Sequence, residues 1–387
     1  MASSSTQPGA AENKSILTPV MILEGHETWK HSLQDSHEFS YISCISYSPD
    51  GKQMTSGSRD KTIRRWDLRE GKEIEEAREV CKNGIDAVGV SRDGRWVVTA
   101  ADEELKVSEV ETGIVRTFHT WTTCIDISAD SRALVASGSY DGARIWSLDT
   151  GKLVAGPFKT GEDHLGPITS VRLSEDSRKL AVSSHWGGYL HVWDVQAQKL
   201  LVQKSTPNKH SGFKLPVFWT TEDKSIVAVF RFTGDDITTI YEFDASTLKT
   251  VGAPFEHTSR SAINGLALSP DCVLLASASY DGTVKLWAFE SRQLLASFDV
   301  SISPRTLVLS PDARQLAYTT FEDTKIYVCD IPANILASIG LEARPSVCIP
   351  HTDIIYMLIF YRSINLIRAT LVCSISMQHL VPRVVNQ

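Results

Sequence analysis

Seven small antiparallel sheets in one all-β chain are expected here from two observations. First, an aromatic or apolar residue that ends a strand recurs at Trp66, Ser108, Trp146, Trp193, Phe243, Trp287 and Cys329, in steps of 38 to 50 residues. Second, the same order of short strands and turns is repeated between those anchors, and a long helical period is absent. Four strands per unit make a sheet too small to bury its own faces, whereas seven such sheets set radially cover one another and leave only short edges. The expected architecture is therefore a seven-bladed β-propeller of four-stranded antiparallel blades.

Within each unit the elements follow in a fixed order. An alternating first strand, written YISCISYS, TSVRLS, INGLALS or RTLVLS, leads into a turn such as SPDG, SRDG, SADS, SEDS or SPDA. The second strand reads KLAVSS, LLASAS or QLAYTT, and after a tight turn the third reads TIRRWD, LHVWD or TVKLW. A turn such as REGK, ETGI or DTGK then introduces an apolar fourth run, for example KLLVQ or QLLASF. The segment VMILEGH, 20–26, reads as a fourth strand with no first three strands ahead of it, so it is expected to complete the seventh sheet and clasp the ends together. ILASIG, 335–340, competes for the same slot. The expected division is a leader over 1–18, a propeller over 19–331 and an atypical apolar extension over 332–387.

The chain has 387 residues, 42% hydrophobic and 22% charged, which suits a globular protein with a large core. A formal net charge of −7 without a long Lys/Arg run gives no electrostatic footprint for nucleic-acid phosphates. Seven widely spaced cysteines with no Cys-x-x-Cys pair suit reduced thiols in an intracellular protein, cytoplasmic or nuclear, better than a disulfide framework or a zinc site. The first fifteen residues, MASSSTQPGAAENKS, have neither the basic start nor the apolar run of a secretory signal. Neither a phosphate-binding Gly-x-x-x-x-Gly-Lys-Ser/Thr loop nor His-Glu-x-x-His is present, so no metal and no cofactor is expected.

The phrases SGSRDKTIRRWD (56–67), SGSYDGARIW (137–146) and SASYDGTVKLW (277–287), together with SPDG, resemble the repeat of the WD40 family over roughly 19–331. Such propellers are encoded in large numbers by fungi, some joined to nucleotide-binding regulatory domains. The resemblance implies a hydrogen-bonded Asp–His–Ser–Trp chain inside each regular blade. It maps onto Asp60, Ser56 and Trp66 with either His26 or His37; onto His119, Ser137, Asp141 and Trp146; and onto His257, Ser277, Asp281 and Trp287. A fourth set is His164, Ser183 and Trp193, with Gly187 in the place of the aspartate. Ser, His and Asp in one unit also invite a hydrolase reading, but the set recurs and lacks a Gly-x-Ser-x-Gly elbow, so no catalytic residue is assigned.

In the family, partners dock on the face carrying the His and Asp loops. The matching positions are Arg59, Ala101, Tyr140, Trp186 and Tyr280 before the turn aspartates, and Tyr41, Trp121, Lys214 and Arg305 near the first strands. Tyr, Trp and Arg dominate interface hot spots, so Tyr41, Arg59, Trp121, Tyr140, Trp186, Tyr280 and Arg305 are the candidate protein-binding residues. The expected function is a non-catalytic scaffold for other proteins or peptides, a monomeric propeller within a larger complex. WDLR, 66–69, resembles the WDxR signature of substrate receptors for cullin-type ubiquitin ligases, and this gives an alternative in which Arg69 contacts the adaptor. A propeller-face enzyme is the second alternative. The apolar run 353–373 is interrupted by Asp353, Arg362 and Arg368, which disfavours a membrane span.

Overall fold

The computed structural model describes residues 15–28, 41–74, 78–130, 132–159, 168–184, 188–205, 216–230, 232, 238–257, 261–300 and 302–341. They form seven antiparallel blades. Blade 1 begins at Ile42–Tyr47, blade 2 at Ile85–Val90, blade 3 at Cys124–Ile127 and blade 4 at Ile168–Leu173. Blades 5, 6 and 7 begin at Phe218–Trp219, Ile263–Leu268 and Pro304–Leu309. Each first strand pairs only with the second of its own blade, and the next two strands follow outward.

The ring closes as expected at one position. Met21–Glu24 pairs antiparallel with the third strand of blade 7, Lys325–Asp330, and supplies its outer strand. Leu23 is buried there with Ile42, Met54 and Trp66 of blade 1 and Ala317, Ile326 and Val328 of blade 7. Thr306 and Thr319 of blade 7 also donate to the carbonyls of Ser43 and Ile42, at 3.1 and 3.2 Å. The rival segment is a helix, Ala333–Ser338, which starts after Pro332 and buries Ile335 and Leu336 in the cluster that holds Cys329 and Leu316.

The boundaries move outward at both ends. Ser15–Ile16 pairs in parallel with Phe298 and Asp299 at the outer edge of blade 6, and Leu17 is buried, so residues 15–18 belong with the sheets rather than with a leader. The helix likewise carries the packed structure past residue 331, to Leu341. The apolar run 353–373 lies outside the described residues.

Two recurring sequence features have local causes. In the turn between first and second strands, a serine hydroxyl donates to the aspartate two residues on and accepts the amide five residues on, as in Ser48 with Asp50 and Gln53. The same serine–aspartate bond recurs at Ser91, Ser174, Ser269 and Ser310. Glycine in the Ser-Gly-Ser phrase answers to close packing. A Cβ at Gly57 would sit 2.6 Å from Ile85 Cγ2 and 2.9 Å from Cys44 Sγ, and one at Gly138 would sit 2.7 Å from Ile168 Cγ2 and 2.6 Å from Cys124 Sγ. Blade 6 carries Ala278 at this place because Gly265 stands opposite it, where blades 1 and 3 have the cysteines. Gly57→Ala is therefore expected to cost about 1–3 kcal/mol through overpacking. An unchanged midpoint in urea denaturation would rule that out.

The irregular anchors are each accommodated. Phe243 and Cys329 are fully buried. Ser108 fills no core; Trp96, at the start of the neighbouring strand, is buried instead, with the Arg95 and Arg116 guanidinium carbons 4.7 and 5.5 Å from its ring.

Candidate functional site

The polar chain is present as expected in blade 1. Trp66 Nε1 donates to Ser56 Oγ at 2.8 Å, and Ser56 Oγ and His26 Nε2 are 2.7 Å apart. His26 Nδ1 stands 2.8 Å from Asp60 Oδ2. Since a carboxylate only accepts, Nδ1 carries the proton and Nε2 accepts from the serine, so every member is satisfied. Of the two candidate histidines the loop supplies His26; His37 lies outside the described residues. Burial raises the Asp60 pKa, but the interaction with His26 and the bonds from Thr62 outweigh it and bring it down to about 2. Blade 6 repeats the inner links: His257 Nε2 is 2.6 Å from Ser277 Oγ, which accepts Trp287 Nε1 at 3.1 Å, while Asp281 accepts the Thr283 amide at 3.0 Å.

Blades 3 and 4 depart from the expected sets. In blade 3, Trp146 Nε1 still donates to Ser137 at 3.2 Å, but His119 is exposed at the end of blade 2's outer strand, and Asp141 is held by both Arg144 nitrogens at 2.9 and 2.6 Å. Those bonds, chiefly from Arg144 and outweighing burial, keep the Asp141 carboxyl well below the usual range. In blade 4, register pairs Leu180 with Trp193 and Val182 with His191, so Val182 occupies the place that Ser56 has in blade 1, and Ser183 lies one residue further on. A valine offers no acceptor, and the buried Trp193 Nε1 has no partner among the described residues. His164 and Gly187 lie outside the described residues.

One geometric variable separates these cases: the number of positions between the tryptophan slot and the residue facing it on the second strand. It is 12 in blades 1 and 6 (Met54–Trp66, Leu275–Trp287), 11 in blade 3 (Val135–Trp146) and 13 in blade 4 (Leu180–Trp193). Blade 3 lacks the threonine of Asp-Lys-Thr and Asp-Gly-Thr, so its turn is too tight for the aspartate to reach across to the histidine loop. This signal is legible in the sequence once the strands are counted from both ends.

Antiparallel alternation puts the loops before the first strands at the same face as the turns between second and third strands; the other two turns lie at the opposite face. On the first face, Tyr41, Arg59, Tyr280 and Arg305 come together around a residue the motif alignment missed, Phe321. The Arg305 guanidinium carbon lies 3.6 Å from the centre of the Tyr41 ring and 5.0 Å from that of Phe321, and Tyr280 stacks on Phe321 at 5.4 Å. Arg59 is 6.0 Å from the Tyr41 ring and forms a 2.8 Å ion pair with Asp86. Phe321 holds blade 7's counterpart of Arg59, hidden in the sequence by one extra residue in the following turn. Register gives the blade 2 counterpart as Asp102, because Ala101 is buried within the second strand.

Trp121 and Tyr140 stand apart from that cluster. They are 51% and 64% exposed, and with His119, Asp141, Arg144 and Trp146 they line an open groove of about 640 Å³. Trp186 and Lys214 lie outside the described residues. Arg69 is exposed at the opposite face, in the turn capped by Asp67. Among the described residues no cluster of His, Cys, Asp or Glu could hold a metal ion, and no helix is long and apolar enough to cross a membrane.

Blades repeating the Ser-x-Asp turn and the His–Ser–Trp chain define a β-propeller of the repeat type. The family model described as WD domain, G-beta repeat matches 17–67, 156–194 and 248–288, so the chain carries WD40 repeats. It is 28% identical over 268 residues to autophagy-related protein 16 of Arabidopsis thaliana, covering 67% of this chain and 50% of that protein. With eukaryotic translation initiation factor 3 subunit I of Schizosaccharomyces pombe it shares 25% identity over 289 residues, 72% of this chain and 69% of the relative. The chain spans half or less of the first curated relatives it matches. The beta-propeller domain of Myceliophteria thermophila Cps50 (Swd1) superposes with a TM-score of 0.62 at 14% identity, over 75% of this chain and 96% of that one, a likeness of fold alone.

Proposed function

We propose that this propeller is a non-catalytic scaffold that binds partner proteins or peptides on the face carrying Tyr41, Trp121, Tyr140, Tyr280 and Phe321. The observation that supports the reading is the gathering of large rings and two arginines on that face, with Trp121 and Tyr140 more than half exposed on rigid sheets. Such rings bring large contact area at little cost in side-chain entropy. A hydrolytic role is disfavoured by the serines themselves: Ser56 and Ser277 are fully buried, and each oxygen is engaged by both a histidine and a tryptophan.

Trp121→Ala/Tyr140→Ala/Tyr280→Ala is expected to keep the wild-type circular dichroism spectrum and to lose, at least tenfold by quantitative mass spectrometry, the partners that the wild-type chain retains. Recovery of the same partners at the same yield by the folded variant would sink the reading.

A further inference from the structure

The first strands present one ring of residues at the mouth of the central channel. Register places Ser43, Asp86, Thr123, Thr169, Asn264 and Arg305 at equivalent positions, each one residue before the position that faces the Gly57 equivalent, and all six line a channel of about 340 Å³. Only two members of this set carry charge. Asp86 is already committed to Arg59 at 2.8 Å. Arg305 is mostly buried and is held by rings: Tyr41 at 3.6 Å and Phe321 at 5.0 Å from its guanidinium carbon. Among the described residues no carboxylate pairs with it.

This is an unusual setting for a guanidinium. Burial pushes its pKa below the ordinary value and Arg59 acts in the same direction, while the Tyr41 side chain, by charge and by hydrogen bond, only partly offsets them. Rings recover part of the lost hydration, about 0.5–2 kcal/mol for a cation over an aromatic face. They cover faces, however, whereas the N–H donors of arginine lie in its plane and match a carboxylate with two parallel bonds. Beside it, the buried Asn264 Oδ1 has no hydrogen-bond partner among the described residues, so the polar layer on this side of the channel is incomplete.

We infer that the channel mouth is a carboxylate-binding site, in which Arg305, clamped by Tyr41 and Phe321, receives an acidic side chain that a protein partner inserts along the propeller axis. The inference rests on the interaction-face reading and specifies the chemistry of the partner there. A negative net charge of −7 over the whole chain does not oppose it, because the field that an inserted side chain meets is that of the nearest group.

The test selects random twelve-residue peptides on the immobilised full-length chain and measures their binding by fluorescence anisotropy. Recovered peptides are expected to share an Asp or Glu; replacing it by Asn or Gln should weaken binding at least tenfold. Arg305→Gln should cause a similar loss, Arg305→Lys a smaller one, and the acid-to-amide change should cost little more in the Arg305→Gln background. C-terminal amidation of the peptide should leave binding unchanged; a loss on amidation would mean that the terminal carboxylate, not a side chain, occupies the site. Matching melting temperatures show that the variants are folded. Acidic peptides that bind Arg305→Gln as well as wild type would overturn the inference, as would selection that yields no acidic consensus. Acid-free peptides lost only in the Trp121/Tyr140/Tyr280 variant would leave the interaction face standing while removing the carboxylate site. Peptides insensitive to both sets of substitutions would remove both.

Discussion

A chain that begins at Gly25 is expected to lose its cooperative unfolding transition, because it lacks the strand Met21–Glu24 that closes blade 7. Two losses combine. The third strand of blade 7 exposes a row of unpaired amides and carbonyls, and the apolar contact through Leu23, 1% exposed between blades 7 and 1, is removed. Burial of that one leucine contributes about 2–3 kcal/mol, a large part of a typical net stability of about 5–15 kcal/mol. The control is a chain beginning at Val20, which gives up the Ser15–Ile16 pairing and Leu17 but keeps the clasp. It should lose only about 1–3 kcal/mol and retain a single transition. Urea denaturation followed by tryptophan fluorescence reads both, and equal stability of the two truncated chains would show that the clasp does not close the ring.

The second expectation contrasts two histidines that stand in matching sequence contexts. His26→Ala removes both ring bonds and leaves Ser56 and Asp60 short of a partner in a buried site, for an expected loss of about 2–4 kcal/mol and roughly 4–10 °C in melting temperature. His119→Ala, on the exposed end of blade 2, should change stability by less than about 0.5 kcal/mol. Asp60 adds a pH signature. Its folded pKa of about 2 lies below the ordinary value near 4, so its contribution is complete above about pH 4 and disappears as the pH falls through about 2. That slice of acid stability, about 2 kcal/mol, should be missing in Asp60→Asn. Equal effects of the two histidine substitutions would mean that the blade 3 network is closed after all.

Much of this architecture was legible in the chain. The spacing of Trp66, Trp146, Trp193 and Trp287 and the repeated serine–aspartate turns announced the blades, because each depends on contacts a few residues apart. Assignment of the polar chain succeeded throughout in blade 1 and for the His–Ser–Trp links in blade 6, where the turn keeps its full length. It failed at His119, Asp141 and Ser183, where one residue fewer or more shifts one strand against its anchor. The same slip concealed Phe321 and misplaced Ala101.

The amino-acid order by itself determined the number of blades and their strand order, since period and alternation follow from backbone geometry; the candidacy of Tyr140, Trp121 and Arg305 for one face came with the family resemblance that the repeats carry. Which of those rings meet is a different kind of fact. Tyr280 meets Phe321 where blades 6 and 7 adjoin, and closure of the ring brings Tyr41, from the opposite end of the chain, to 3.6 Å from Arg305 and 6.5 Å from Phe321. Tertiary structure alone decided that His26 rather than His37 completes blade 1, that ILASIG becomes a helix, and that Arg305 meets rings instead of a carboxylate. Each of those outcomes depends on a neighbour remote in sequence, whose identity local pattern does not encode.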